Sequence, residues 1–170
     1  MEFRFETSYD QKAMKAMARA LRKTVRAKRA KRSAIYAILV AALGILLIFS
    51  SDAFGFRQVV TAAVIVVMIL AFVFQDSLNG YIAAKRALPG LDKSIVTFHK
   101  DGYRSVTPVG ESLFPYENIR MIAEDEHYLV FIFSASHAQI YDKHSISGGS
   151  IDEFKQHIKA CTQLDWISIE

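Results

Sequence analysis

Histidine is the residue type that most invites a chemical reading of this chain. All five, at positions 99, 127, 137, 144 and 157, fall after residue 98. In "HAQIYDKH", His137, Tyr141, Asp142 and His144 could converge on a metal ion, with His127 or His99 as a further ligand. A separation of seven between the two histidines matches no established ligand pattern, so exposed edge-strand histidines are the expectation and no metal is assigned. Cys161 is the single cysteine, which excludes an internal disulfide and a thiolate cluster within one chain. Gly148-Gly149 precede a helical pattern, but no Lys follows as it does in a phosphate-binding loop. Ser145, Ser147 and Ser150 lack a nucleophile-elbow context. Glu124-Asp125-Glu126 reads as a solvated turn that could pair with a basic N-terminal helix. The sequence therefore assigns no catalytic residue and no cofactor, and predicts a protein that is not an enzyme.

Those histidines belong to short alternating segments with turn signals between them. "SIVTFH" (94–99), "KDG" and "YRSVT" (103–107) form a hairpin pattern on Asp101-Gly102. "ESLFPY", "NIRMIA" (118–123), "HYLVFIFS" (127–134) and "QIYDKH" (139–144) follow as further strands. "HYLVFIFS" is apolar on both faces, so it must be central or covered on both sides. Ser150 and Glu153 make a capping box for a helix whose Ile151, Phe154, Ile158 and Cys161 form one apolar stripe. "EFRFET" at the N-terminus also alternates and could supply a seventh strand. The expectation is an antiparallel sheet or partly open barrel closed by a C-terminal helix.

Upstream lie two runs of eighteen residues without a charge, 33–50 and 58–75. Each is about 27 Å long as a helix, near the minimum that crosses a bilayer. Too little chain remains to bury both as soluble core helices. The short "SDAFGFRQ" connection makes them an antiparallel hairpin. Charge is segregated around it: residues 1–32 carry a net +8, residues 33–86 a net +1 and residues 87–170 a net −5. Averaging these into a basic nucleic-acid binder would be an error, and no nucleic acid is expected as partner. The positive-inside rule places both termini in the cytoplasm. Arg22, Lys23, Arg26, Lys28, Arg29, Lys31, Arg32, Lys85 and Arg86 are the expected contacts to the anionic leaflet. Thr7 and Asp10 resemble a capping box, and Met14, Met17, Leu21 and Val25 form a stripe on a basic helix that continues into the first span. That helix would lie against lipid or against the soluble domain. Ala37, Ala41 and Gly44 offer a small-residue ridge for closing the hairpin or joining protomers. The span interiors hold no Asp, Glu, Lys, Arg or His, which argues against a transporter.

The domain plan is thus a strand at 1–8, a basic juxtamembrane helix at 9–32, and spans at 33–50 and 58–75 around an outward loop at 51–57. A linker or helix extension at 76–93, ended by Pro89-Gly90, leads to a cytoplasmic domain at 94–170. Two spans followed by "VTFHKDGYRS…FPYENIRMIAEDEHYLVFIF…SGGSIDEFKQHI" resemble the YcxB-like family of small bacterial membrane proteins, over residues 94–160 and the two-span layout. The resemblance implies an α+β pleckstrin-homology-like domain, location in the bacterial inner (cytoplasmic) membrane, and no catalytic residues to carry over. Three functions follow as expectations. The first is a binding module for a protein or peptide partner beside the membrane, using an open sheet edge or a strand–helix groove. The second, from relatives that accompany toxin or bacteriocin systems, is an immunity protein. The third is a metal-binding or enzymatic domain using the histidines. Phosphoinositide binding has little support, because the domain is net negative.

Overall fold

The computed structural model describes residues 2–50, 55–86 and 92–169. Pro89-Gly90 and positions 51–54 of the expected outward loop lie outside the described residues. The chain begins with strand β1 (Phe3–Ser8), rises through helices α1 (Gln11–Lys23) and α2 (Ala27–Phe49), and returns through α3 (Phe56–Val73) and α4 (Gln75–Arg86). Strands β2 (Lys93–Phe98), β3 (Tyr103–Thr107), β4 (Gly110–Phe114), β5 (Met121–Glu124), β6 (Tyr128–Ile132) and β7 (Ala138–Asp142) follow, then α5 (Ile151–Thr162) and a short β8 (Trp166–Ser168).

Alternation of large apolar and polar residues puts Phe3, Phe5 and Thr7 on one face of β1, all buried. That strand pairs antiparallel with β2, Phe3 opposite Phe98 and Ser8 opposite Lys93. Its other edge meets residue 147, where Arg4 and Ser147 exchange two main-chain hydrogen bonds of 2.9 Å. The result is two four-stranded sheets, β1-β2-β3-β4 and β7-β6-β5-β8, joined at the β1–β7 corner. Phe154 of α5 sits between them, with ring centroids 4.8 Å from both Phe5 and Phe98. The capping box of α5 forms as its sequence predicts. Gly148-Gly149 have a packing role: Gly148 has φ 92°, and a Cβ there would strike the Glu2 carbonyl oxygen as β1 passes.

Two long apolar helices are therefore inserted into the connection between two paired strands. Both α2 and α3 are long and apolar enough to cross a membrane, and only 6% of each apolar window is buried. A soluble core helix would be largely covered, so these surfaces are compatible with lipid as their solvent. Gly44 is the crossing point of α2 and α3, since a Cβ there would lie 2.9 Å from Ile65 Cδ1. Ala37 and Ala41 instead line an apolar hollow of about 390 Å³ between the two helices. Of the predicted ridge, only Gly44 closes the hairpin tightly.

The expected single helix over 9–32 is two helices. Main-chain bonds from Thr24 to Ala20 and from Arg26 to Leu21 end α1, and α2 starts at Ala27. Asp10 alone caps α1, through Ala13 N–H at 2.8 Å; Thr7 belongs to β1 and accepts from Asp142 N–H. The α1 face carrying Ala13, Ala16, Ala20 and Leu21 packs on Ala123, Val130, Ile132, Ile140 and Ile169. It thereby covers the outer face of β6, whose inner face holds Leu129 and Phe131 in the aromatic core. The two-faced apolar strand is covered on both sides, as its sequence requires.

Helix α4, expected as a linker or extension, is the other half of this neck. Arg22 clamps the buried Asp76 carboxylate with two hydrogen bonds of 2.7 Å, and Arg19 lies 3.9 Å away. One turn further on, a Cβ on Gly80 would sit 2.8 Å from the Lys15 backbone nitrogen. Gly80→Val should push α1 off α4 and cost about 1–3 kcal/mol; an unchanged thermal midpoint of the full-length protein would show that the helices do not cross there.

Candidate functional site

Sequence reasoning placed any site at an open sheet edge or a strand–helix groove, and the β3–β4 hairpin forms both. Pro108-Val109 is its two-residue turn, closing on the Thr107–Gly110 pair. Antiparallel alternation then directs the main-chain N–H and C=O of Glu111 and Leu113 outward, along an edge whose residues are exposed. Leu113 is 75% exposed and Val109 59%, an apolar display on a strand that has no neighbour beyond it.

Beneath this hairpin is a hollow of about 520 Å³. Its walls are Ser105 and Thr107 of β3, Ser112 and Phe114 of β4, Ala138 and Gln139 of β7, and Tyr9, Met14 and Met17 at α1. A second hollow of about 620 Å³ shares Phe114, Ala138 and Gln139 and extends to Asn118, Arg120, Phe133 and His137. Together they form one groove flanking β4. Phe114 and Phe133 stack with centroids 6.1 Å apart, and the methionines add adaptable apolar surface.

One polar group in this groove is held firmly. The Oε1 of Gln139 accepts from the Tyr103 hydroxyl at 2.8 Å and the Tyr141 hydroxyl at 2.7 Å. Burial raises the pKa of both tyrosines well above its ordinary value, so each remains a donor at neutral pH. The Gln139 carbonyl is thus saturated, and its NH₂ is the end left to donate to a bound carbonyl. A rigid amide donor, an open main-chain edge and apolar walls suit recognition of an extended chain.

Residues 98–158 match the YcxB-like protein family. No curated protein matches the chain. The YcxB-like segment runs from the last residue of β2 into α5, so it contains the hairpin, β7 and Gln139. It excludes β1 and α1, which supply one strand of the core and one wall of the groove.

The histidines do not assemble. His137 and His144 stand at opposite ends of β7, and Tyr141 is buried in the core. His137 Nδ1 contacts only local hydroxyls, Ser134 at 3.1 Å and Ser136 at 3.0 Å, while His144 faces His127 at 3.4 Å. Among the described residues, no group of three or more His, Cys, Asp or Glu gathers. The Cys161 thiol lies 3.8 Å from His157, but burial and then Asp101 push its pKa up, the opposite of an activated nucleophile.

The acidic turn is only partly solvated. Glu124 accepts from Lys143 and Lys155, tying β5 to the end of β7 and to α5, and Asp125 accepts from the His127 and Tyr128 amides. Burial pushes the Glu124 carboxyl up, and the two ammonium groups outweigh it, leaving its pKa lowered. A lowered folded pKa stabilises above the ordinary carboxylate pKa and loses that contribution as pH falls through the folded value. Glu124→Gln should therefore lower the melting temperature at pH 7, and the gap from wild type should close on acidification. A gap that widened toward low pH would contradict this pairing.

The predicted leaflet contacts divide in two. Arg22 is committed to Asp76, and the Arg26 Nε donates to the Ala135 carbonyl at 2.6 Å, fastening the α1–α2 link to the β6–β7 turn. Lys28, Arg29, Lys31 and Arg32 are exposed at the foot of α2, as are Lys23 on α1 and Lys85 and Arg86 at the end of α4. Sequence reasoning missed Asp76, Gln139 and Phe114. Only Asp76 carried a signal, as an acid directly after an uncharged run.

Proposed function

We propose that this is a non-enzymatic, two-pass inner-membrane protein whose pleckstrin-homology-like domain binds an extended segment of a protein or peptide partner along β4. The carrying observation is the conjunction of an open β4 edge with an apolar groove in which Gln139 is fixed by two buried tyrosine hydroxyls. Two sheets with a helix packed between them support the pleckstrin-homology-like reading. Both termini are cytoplasmic, with Lys28, Arg29, Lys31 and Arg32 against the anionic leaflet. A toxin neutralised at the membrane would be one such partner.

Orientation is tested by impermeant thiol labelling in intact cells. Gly55→Cys should label, and Ser147→Cys should label only after lysis; early labelling of Ser147→Cys would reverse the topology. The site is tested with a photocrosslinking amino acid at Val109. Leu113→Pro removes one outward N–H and no ladder bond, a change that an edge strand tolerates. Adducts formed in cells should disappear in Leu113→Pro while the melting temperature is retained. Adducts that persist, or none in wild type, would sink edge pairing.

A further inference from the structure

Helix α1 is in contact with the groove and with the membrane hairpin at once. Met14 and Met17 line the hollow under β4, while the Met14–Lys15 backbone is the surface against which Gly80 of α4 closes. Arg22, near the upper end of α1, grips Asp76 in the first turn of α4. Only Phe74 separates α3 from α4: its N–H closes the last turn of α3 on Leu70, and its carbonyl accepts from Leu78 of α4, each at 2.9 Å. The α3–α4 pair is thus a rod with one joint at Phe74, gripped by α1 at its lower half.

The other membrane helix is attached differently. Between α1 and α2 the helix is interrupted at residues 24–26, and Arg26 is pinned to Ala135 in the β6–β7 turn beside the groove. In the bilayer, α2 and α3 meet closely at Gly44 and leave an apolar hollow on the domain side, around Ala37 and Phe72. A shift of α1 would thus carry the α3–α4 rod with it, while α2 stays registered to the β6–β7 turn.

We propose that α1 couples occupancy of the hollow beneath β4 to the spacing of the two membrane helices on the domain side of Gly44. This rests on the reading of that hollow as a binding site. By reciprocity, any partner or lipid that changes the helix spacing changes affinity in the groove by the same factor. The relevant effector class is whatever fills the apolar space between α2 and α3.

The test uses a tryptophan wedge in place of the unidentified partner. Full-length protein with Cys161→Ser carries spin labels at Tyr36→Cys and Leu70→Cys, both exposed positions, in lipid nanodiscs. Ser112→Trp places an indole in the hollow, and its protection from acrylamide is compared with the parent, whose one tryptophan is Trp166. A seated wedge should shift the mean label distance by about 2 Å or more, the scale of helix shifts that transmit switching. Val106→Trp, on the opposite face of the hairpin, should not. Asp76→Asn or Arg22→Gln, each opening the clamp, should abolish the shift. A seated wedge without a shift overturns the coupling and leaves the binding reading standing. A shift that survives the clamp variants and Gly80→Val also overturns it, because the motion then bypasses both contacts of α1 with α4. If neither Ser112→Trp nor Thr107→Trp is protected, the hollow admits no side chain, and the binding reading falls with the coupling.

Discussion

Deleting residues 2–8 from the full-length protein is expected to unfold the sheet-rich domain, although these residues precede both long apolar helices. The deletion removes Phe3 and Phe5, both fully buried, and leaves Val96, Phe98 and Phe154 facing an empty edge. Large-to-small changes at such phenylalanines cost about 3–5 kcal/mol each. Two of them, with six strand pairings lost, equal a large share of the roughly 5–15 kcal/mol that holds a domain folded. Phe5→Ala alone should lower stability by about 3–5 kcal/mol, as should Phe154→Ala, which faces it across the core. Limited proteolysis in membranes reads the deletion. Wild type should give a resistant fragment that includes α5, and the deletion should not. The same reasoning predicts that residues 92–170 alone, although they include the whole YcxB-like segment, do not fold. Resistance unaffected by the deletion would mean that β1 is dispensable.

A second large effect concerns the removal of the apolar hairpin. Tyr9 N–H donates to the Asp92 carbonyl at 2.8 Å, so the chain leaves and re-enters the domain at one point. Replacing residues 24–91 by a Gly/Ser linker of about ten residues is long enough to return from the top of α1, roughly 20 Å away. That variant keeps α1 over Val130, Ile132, Ile140 and Ile169, and should be soluble, monomeric and cooperatively folded. Replacing residues 10–91 by a two-residue turn also preserves the β1–β2 register, but strips α1 from the sheet. The contiguous apolar face left behind should drive aggregation. Equal solubility of the two variants would show that α1 is a membrane helix and not part of the domain core.

The sequence carried the elements better than their arrangement. Alternation in "YRSVT" and the Ser150–Glu153 box located β3 and α5 directly, because period and capping are local signals. The double-sided hydrophobicity of "HYLVFIFS" announced a cover on each face. What covers the second face was legible only as one of two alternatives: a basic helix over 9–32 could lie against lipid or against the soluble domain, and its alanines carry too little hydrophobic signal to choose. The Arg22–Asp76 clamp joins residues 54 positions apart and exists only after the hairpin has folded back. Gly148-Gly149 had no phosphate-loop Lys after them and so no assigned role, because nothing local reveals that β1 crosses Gly148. Strand β8, three residues long and parallel to β5, has too short a pattern to stand out. In the groove, Gln139 is ordinary in sequence and becomes distinctive only when β3 brings the Tyr103 hydroxyl to it beside that of Tyr141, two residues on in β7.

The most direct measurement is disulfide crosslinking between β1 and β2 in membranes, in a Cys161→Ser background. Glu6 and Ile95 are opposite one another, and such facing positions lie within disulfide reach. Oxidation of Glu6→Cys with Ile95→Cys should close a covalent loop around both apolar helices. The displaced pair Glu6→Cys with Thr97→Cys should remain largely uncrosslinked. Absence of the 6–95 link, or equal linking of both pairs, would contradict a domain built from both ends of the chain with the apolar hairpin inserted between its first two strands.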